Sequence, residues 1–450
     1  MSANRQPGRR LYFFSALATA LTLLTFFLLC LLILSRGLRL FWPAEVVQFQ
    51  YPISGQMQQV FGEVVSRQQV NAEQLAAAGL PSHSQAQRVL IKQGQTAGQT
   101  AFRWYWQHLS RDWQTPAQLS LLRHFSQGEF YGVVMQENAT ELQLRLSDNS
   151  SRTFLRSDIE RVISPNQLSL WGKLQLFAAQ WWQFLSTEPR QANSAGGILP
   201  AIMGTVLSVL LMALLVAPIG IMAGIYLHEY AKDGRLVRLV RLSVHNLAGV
   251  PSVVFGVFAL GFFVYVLGGS IDQLFYAEQL PQATFGTPGL LWVSLTLALL
   301  TLPVVIVATE EGLARIPQSL RLGGYALGAT KAEVLRKLIL PVAIPAMITG
   351  VVLAMSRAAG EVAPLIFVGV VKYAPVLPLR SEWPFVQLDQ QIMSLGLQIY
   401  DVGLQSSNAD AAEPRVYAIA LVLLLLIGSL NLLAMRLRRY YRAKTRSQGA

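Results

Sequence analysis

Cysteine is nearly absent from this chain: Cys30 is the only one in 450 residues. A single thiol rules out an intrachain disulfide and a thiolate metal cluster. Histidine is sparse as well. His83, His108, His124, His228 and His245 are scattered and never reach metal-ligand spacing, so neither a metal nor another cofactor is expected. Charged residues make up only 13% of the chain, against the roughly 25% usual for soluble domains. That scarcity excludes a disordered chain and a nucleic-acid-binding one, and it argues against a soluble enzyme. The phosphate loop Gly-x-x-x-x-Gly-Lys-Ser/Thr is missing too: Gly172-Lys173 is followed by Leu174 and lacks the upstream glycine. No nucleophile elbow and no paired-carboxylate site stands out. Any ATP-driven work therefore belongs to a separate subunit, and the chain itself is not expected to be an enzyme.

What the chain has in plenty is apolar sequence, with 53% hydrophobic residues and a mean hydropathy of +0.41. A bilayer core about 30 Å thick needs about 20 apolar residues of helix. Long uncharged runs occur at Leu11–Ser35, Ile198–Leu227, Asn246–Ile271, Gly289–Thr309, Leu338–Ser356 and Val416–Met435, the fifth resuming after Glu361 as far as Val371. Six spanning helices is the economical count, with the lipid bilayer as surroundings. Arg5, Arg9 and Arg10 before the first run suggest a signal peptide. But the run exceeds the usual apolar core of about 7–15 residues, and no small-x-small cleavage site follows before Arg36, so it reads as a retained helix.

The net charge of +12 gives the orientation, because short cytoplasmic loops collect Lys and Arg. Lys232, Arg235, Arg238 and Arg241 lie between the second and third runs. Arg315, Arg321, Lys331, Arg336 and Lys337 lie between the fourth and fifth, and Arg436, Arg438, Arg439, Arg442, Lys444 and Arg446 follow the sixth. Gly269–Pro288 has neither Lys nor Arg, and Lys372–Arg415 has only Lys372, Arg380 and Arg415. Both termini of this multi-pass protein are therefore expected in the cytoplasm; the resemblance described below implies the inner membrane of a bacterium.

The organisation expected is a cytoplasmic N-terminus and first span over 1–35, and an extracytoplasmic insert over 36–197. A core of four spans then covers 198–371, which the resemblance described below implies is a permease core, followed by a loop 372–415 expected outside and the last span with a basic tail 416–450. The insert is richer in Gln and mixed charge. Within it, Phe130–Gln136, Leu142–Leu146 and Arg152–Leu155, broken by Glu137-Asn138 and Asp148-Asn149, predict a small antiparallel sheet. Gln167–Leu185 reads as a helix whose aromatics serve either the bilayer interface or the domain core. No internal repeat is legible.

The loop before the fifth run carries the most information. Thr330-Lys331-Ala332-Glu333 has the capping-box pattern and predicts a helix to about Leu340, stopped near Pro341. Upstream, Gln318–Leu327 predicts a second short helix ending at Gly328, which tolerates a left-handed helix terminus. On this physics alone an ordinary solvated loop explains the segment as well. Arg357 and Glu361, spaced i, i+4, fall on one face of the fifth helix and can pair. Counted from an entry near Pro345, Arg357 lies about 18 Å in, at mid-depth or slightly beyond. Ionisable groups there face a cavity or each other. The pair is either a structural bridge, or Arg357 offers a planar cationic fork to an oxyanion while Glu361 keeps binding weak enough for conduction.

Ala326-Leu327-Gly328-Ala329-Thr330-Lys331, followed by Leu340-Pro341 and Ala343-Ile344-Pro345, resembles the EAA loop of ATP-binding-cassette importer permeases. Further segments narrow the resemblance to the phosphate-permease (PstA/PstC) branch. They are Gly196-Gly197-Ile198, Gly204-Thr205, Ala217-Pro218-Ile219-Gly220, Tyr226-Leu227-His228-Glu229-Tyr230, Gly249 to Gly256, and Ser356 to Leu365. The match covers Gly196 to about Val371.

The resemblance implies an all-α polytopic membrane protein of the ABC importer permease type, with six transmembrane helices and a long extracytoplasmic mixed α+β insert between helices 1 and 2. It implies that Tyr325, Ala326, Leu327, Gly328, Ala329, Thr330 and Glu333 belong to a loop, about 310–341, that docks the ATPase. It also implies that Arg357 and Glu361 line a path for inorganic phosphate. Implied partners are a second related permease, two copies of a cytoplasmic ATPase and a periplasmic phosphate-binding protein. Permeases for other oxyanions, such as molybdate or phosphonate, and a membrane-anchored receptor or scaffold are the rival readings. Two departures stand out: Leu322-Gly323-Gly324 replaces the Glu-Ala-Ala that names the loop, and Arg36–Arg190 is longer than the outer loop expected there.

Overall fold

The computed structural model describes residues 8–53, 55–70, 86–96, 99–125, 127–190, 193, 195–232, 234–374, 377–380, 382–383, 385–406 and 409–447. Arg5, named above with Arg9 and Arg10 before the first run, lies outside them. Among the described residues six helices are long and apolar enough to cross a bilayer, the number the uncharged runs predict. They are α1 (Gly8–Arg39), α3 (Leu199–Tyr230), α5 (Ser252–Phe275), α6 (Leu290–Ala314), α8 (Lys331–Gly360) and α11 (Ala409–Ser447). Shorter helices are α2 (Leu170–Ser186), α4 (Arg235–Leu247), α7 (Gln318–Ala326), α9 (Leu365–Val368) and α10 (Leu395–Leu404). The third run is shorter than expected. Its first residues, Asn246 and Leu247, close the basic amphipathic α4, and Pro251 separates that helix from α5.

The chain forms two compact units: Met1–Phe184 with Ser406–Arg415, and Leu185–Gln405 with Val416–Ala450. In the first, strands β1 (Val46–Ile53), β2 (Gln56–Val70), β3 (Ala86–Thr96), β4 (Gln99–Trp106) and β5 (Arg111–Gln114) form an antiparallel sheet in the order β4-β3-β2-β1-β5. A second sheet of β6 (Leu119–His124), β7 (Gly128–Glu137), β8 (Glu141–Arg145), β9 (Ser151–Leu155) and β10 (Ile159–Ile163) has the order β10-β6-β7-β8-β9. Renumbered from its own first strand, the second order is that of the first. In each, a short 3₁₀ turn (Gln107–Leu109, Arg156–Asp158) precedes the last strand.

Among the described residues the insert thus repeats one strand order in two five-stranded sheets, a pattern the sequence conceals, and the single sheet expected around residues 130–155 is the second of them. The echo in sequence is Phe61-Gly62-Glu63-Val64 in β2 and Tyr131-Gly132-Val133-Val134 in β7. Each glycine lies against its neighbouring strand, where a Cβ would sit 2.5 Å from the Lys92 carbonyl oxygen or 2.3 Å from that of Arg145.

Charge joins the two sheets. Lys92 on β3 and Arg123 on β6 both reach the Glu129 carboxylate on β7, at 2.5 and 2.7 Å, and Tyr131 Oη donates to Glu63 Oε2 at 2.9 Å. Burial works against ionising Glu129, but Lys92 and Arg123 beside it prevail and hold its carboxyl down at about 2. A carboxyl depressed from its ordinary 4.5 favours the folded state fully above that value, and the contribution is lost as pH falls through about 2. Glu129→Gln leaves two cations without their partner, a loss of about 3–5 kcal/mol. It should lower the unfolding midpoint of the full-length protein at neutral pH and flatten its acid dependence between pH 4.5 and 2. An unchanged midpoint would mean that the network is not buried in solution.

Helix α2 turns some of its aromatics into the domain core and leaves others exposed. Phe177, Trp181 and Phe184 pack around Phe41, with ring centroids 6.3, 4.8 and 5.1 Å away, while Trp171 and Trp182 are exposed.

In the second unit α6 is the enclosed element: 67% of its spanning window is buried, against 28–33% for α3, α5 and α8. Glycines bring its neighbours close. A Cβ on Gly224 of α3 would stand 2.7 Å from Thr309 Cβ, and one on Gly350 of α8 2.6 Å from Ala308 Cβ. Between apolar helices that proximity is what dispersion needs. The buried hydroxyls of Ser294, Thr296, Thr301 and Thr309 donate back to the carbonyls of Leu290, Trp292, Leu297 and Val305, so none demands water. The segment expected as a loop over 372–415 contains α10, with Leu395, Gln398 and Asp401 buried, and the start of α11.

Candidate functional site

The loop before α8 is a helix–turn–helix hairpin. Helix α7 ends in a Schellman motif: Gly328 N–H donates to the Tyr325 carbonyl and Ala329 N–H to that of Gly324, at 2.9 and 3.2 Å. Gly328 takes the left-handed φ of 81° that this closure needs. Thr330 then caps α8. Its Oγ1 accepts from the Glu333 backbone at 3.4 Å, and Glu333 Oε2 accepts from the Thr330 N–H at 3.0 Å and its hydroxyl at 2.9 Å. Gly324 lies against Val334 and Leu338 of α8, where a Cβ would stand 2.8 and 2.9 Å from their methyls. One of the three residues departing from Glu-Ala-Ala is therefore the point where the arms touch. Leu322, Tyr325 and Leu327 stay exposed, Leu327 at 89%. Tyr325 to Thr330 and Glu333 are all in this hairpin, as their spacing predicts.

The expected stop near Pro341 does not occur. Residues Leu335–Ile339 form a π-turn, and the helix continues through Pro341 to Gly360. The hydrogen-bond register already shifts at the π-turn, so the N–H that proline lacks falls where the ladder is interrupted anyway.

Arg357 and Glu361 do come together, with Nε 3.4 Å from Oε1, but not along one helix face. Helix α8 ends at Gly360, and Glu361 follows in extended backbone (φ −76°, ψ 136°). Pro364 accounts for the end: it has no N–H to give the Gly360 carbonyl, and it disfavours helical backbone before it. The pair therefore bridges the helix terminus, with Arg357 in the last turn, where the macrodipole favours a cation. Because α8 begins at Lys331, Arg357 lies roughly 39 Å along its axis at 1.5 Å per residue, close to the far end of the helix. The fifth span does not resume to Val371. Only α9 forms there, Gly369 turns at φ 142°, and Val370 pairs with Ile392. One residue before Arg357, Ser356 donates to Asn431 of α11 at 2.7 Å. The Arg357 side chain is 43% exposed and that of Glu361 18%.

Glu229 is absent from the candidates that spacing supplies, yet it meets the hairpin. Arg321 Nη2 lies 2.9 Å from Glu229 Oε1, and Lys331 Nζ donates to the Glu229 carbonyl at 2.5 Å. In the sequence Glu229 appears only within the segment Tyr226–Tyr230 that carries the resemblance, just before a basic loop, with nothing to name its partner.

Residues 216–447 match the family described as binding-protein-dependent transport system inner membrane component. Among curated relatives, the phosphate transport system permease protein PstA 1 of Mycobacterium tuberculosis is 30% identical over 306 residues, covering 66% of this chain and 90% of the relative. The PstA protein of Yersinia pestis is 31% identical over 251 residues, covering 56% and 75%. Among solved structures, the inward-facing MetNI methionine ABC transporter aligns over 54% of this chain and 97% of the other, at 18% identity and a TM-score of 0.39.

Proposed function

Because the chain belongs to the family of binding-protein-dependent transport system inner membrane components, we propose that it is the PstA-type permease subunit of a phosphate importer. It conducts phosphate across the bacterial inner membrane, with both termini in the cytoplasm and the two-sheet insert outside. The relatives' names supply the substrate. The observation that carries the reading is the broken end of α8, where Arg357 faces Glu361. The Arg357 side chain is 43% exposed at the far end of a spanning helix, so its guanidinium is open to an anion arriving there.

At that place the guanidinium presents two parallel N–H donors to phosphate oxygens, a stronger and more directional contact than a point charge. Glu361 competes for the same donors and repels the anion, so phosphate is held briefly and released. The hairpin around Gly328, with Leu322, Tyr325 and Leu327 outward, is the docking element for the ATPase, and hydrolysis takes place on that separate subunit. A second, PstC-type permease completes the path, two PstB-type ATPase copies drive it, and a PstS-type binding protein delivers phosphate from outside.

The test is uptake of radiolabelled phosphate into proteoliposomes holding the four-component complex. Uptake should require ATP and binding protein and should persist in excess molybdate and sulfate. Molybdate uptake in preference to phosphate would overturn the substrate.

A further inference from the structure

Both arms of the hairpin end on the same residue of α3. From α7, Arg321 is paired with the Glu229 carboxylate: Nη2 lies 2.9 Å from Oε1, and Nη1 donates to Oε2 at 3.3 Å. From the start of α8, Lys331 donates to the Glu229 carbonyl at 2.5 Å and lies 4.7 Å from the centre of the Tyr230 ring. Arg321 also donates to the Leu313 carbonyl in the last turn of α6, at 3.1 Å. One arginine therefore connects the hairpin with the ends of both α3 and α6.

Helix C-termini leave carbonyls without partners, and cations commonly cap them. Capping explains the bonds to Leu313 and to the Glu229 carbonyl, but not the carboxylate. A negative side chain in the last turn of a helix opposes the macrodipole. Glu229 is nevertheless there, only 9% exposed, against an arginine 20% exposed. It sits in a π-turn, Tyr226–Tyr230, a local departure that recurs at functional sites. The Arg321 Nε is buried without a hydrogen-bond partner, so the guanidinium is held by the carboxylate at the cost of one unmet donor. The hairpin itself has no acid at Leu322-Gly323-Gly324; the carboxylate paired with it comes from α3.

We propose that Glu229 is the positioning residue through which the coupling hairpin moves α3. The Schellman turn, the capping box and the contact at Gly324 make the hairpin stiff. A displacement imposed on it reaches Arg321 and Lys331 together and is passed to Glu229 as a pull on side chain and backbone at once. Glu229 touches no substrate in this scheme. The inference rests on the permease reading above.

The experiment uses the complete reconstituted complex with Glu229→Gln, Arg321→Lys and the neutral double variant Glu229→Gln with Arg321→Gln. Phosphate uptake and ATP hydrolysis are both normalised to assembled complex. The neutral double strands no charge, so it should assemble. We expect its phosphate transported per ATP to fall at least tenfold and stimulation of hydrolysis by loaded binding protein to disappear, because in this scheme both signals pass through the same contact. Arg321→Lys keeps the charge but cannot reach the Glu229 carboxylate and the Leu313 carbonyl with a planar guanidinium, so its ratio should be intermediate. A double variant with the wild-type ratio would reduce the pair to a cap and overturn the proposal. So would a double variant that fails to assemble while Arg321→Lys stays fully coupled. If wild-type complex transports no phosphate, the permease reading fails instead, and that result is seen before any variant is compared.

Discussion

Replacing Arg357 by Gln should lower phosphate uptake about 100-fold while the complex still assembles, and adding Glu361→Gln should not restore it. Hydrogen bonds to charged groups contribute about 1.5–3 kcal/mol each, so losing one of two parallel donors, the Gln amide replacing the other, accounts for a change of that size. The double variant separates transport from architecture. If Arg357 and Glu361 only neutralise each other at the end of α8, removing both charges leaves nothing stranded, and uptake returns, as replaced buried pairs often allow. If Arg357 meets phosphate, the neutral double remains inactive. Arg357→Lys keeps a cation favoured by the helix terminus but loses the planar fork, so partial uptake is expected. The contact from Ser356 to Asn431, at 2.7 Å, holds the last turn of α8 independently of the pair, which supports assembly in every variant. Full uptake by the neutral double would assign the pair to architecture.

Gly328→Val should abolish stimulation of ATP hydrolysis by loaded binding protein and leave the permease inserted in the membrane. The reason is purely conformational. A Cβ on Gly328 would meet nothing within 4 Å, so no neighbour is displaced. But φ is 81°, and left-handed backbone costs an L-residue about 1–2 kcal/mol, more for a β-branched one. The Schellman bonds to Tyr325 and Gly324 would break, the angle between α7 and α8 would change, and Arg321 and Lys331 could no longer reach Glu229 together. Gly328→Asn is the control, since asparagine accepts this conformation, and it should stay close to wild type. Normal stimulation in the valine variant would refute a docking role for the hairpin.

Features set by neighbouring residues are legible in the sequence. Length and polarity alone define the spanning helices, because lipid leaves the backbone of an apolar run no partner but itself. Thr330 with Glu333, and Gly328 after α7, announce their cap and turn because those bonds close within a few residues. Strands β7, β8 and β9 follow from alternation and turn residues for the same reason. What tertiary structure decided depends on partners far along the chain. The two matching sheets of the insert keep a common strand order while sharing little more than an aromatic-glycine pair, since a sheet asks only for alternation and for glycine where strands crowd. Helix α2 has one composition but two faces, and only Phe41 shows which aromatics turn inward. The end of α8 at Gly360 places Glu361 beyond the helix, which i, i+4 spacing alone could not reveal. Glu229 needed Arg321, ninety-two residues later, because a charge pair is a fact of distance in space, and spacing along the chain carries no record of it.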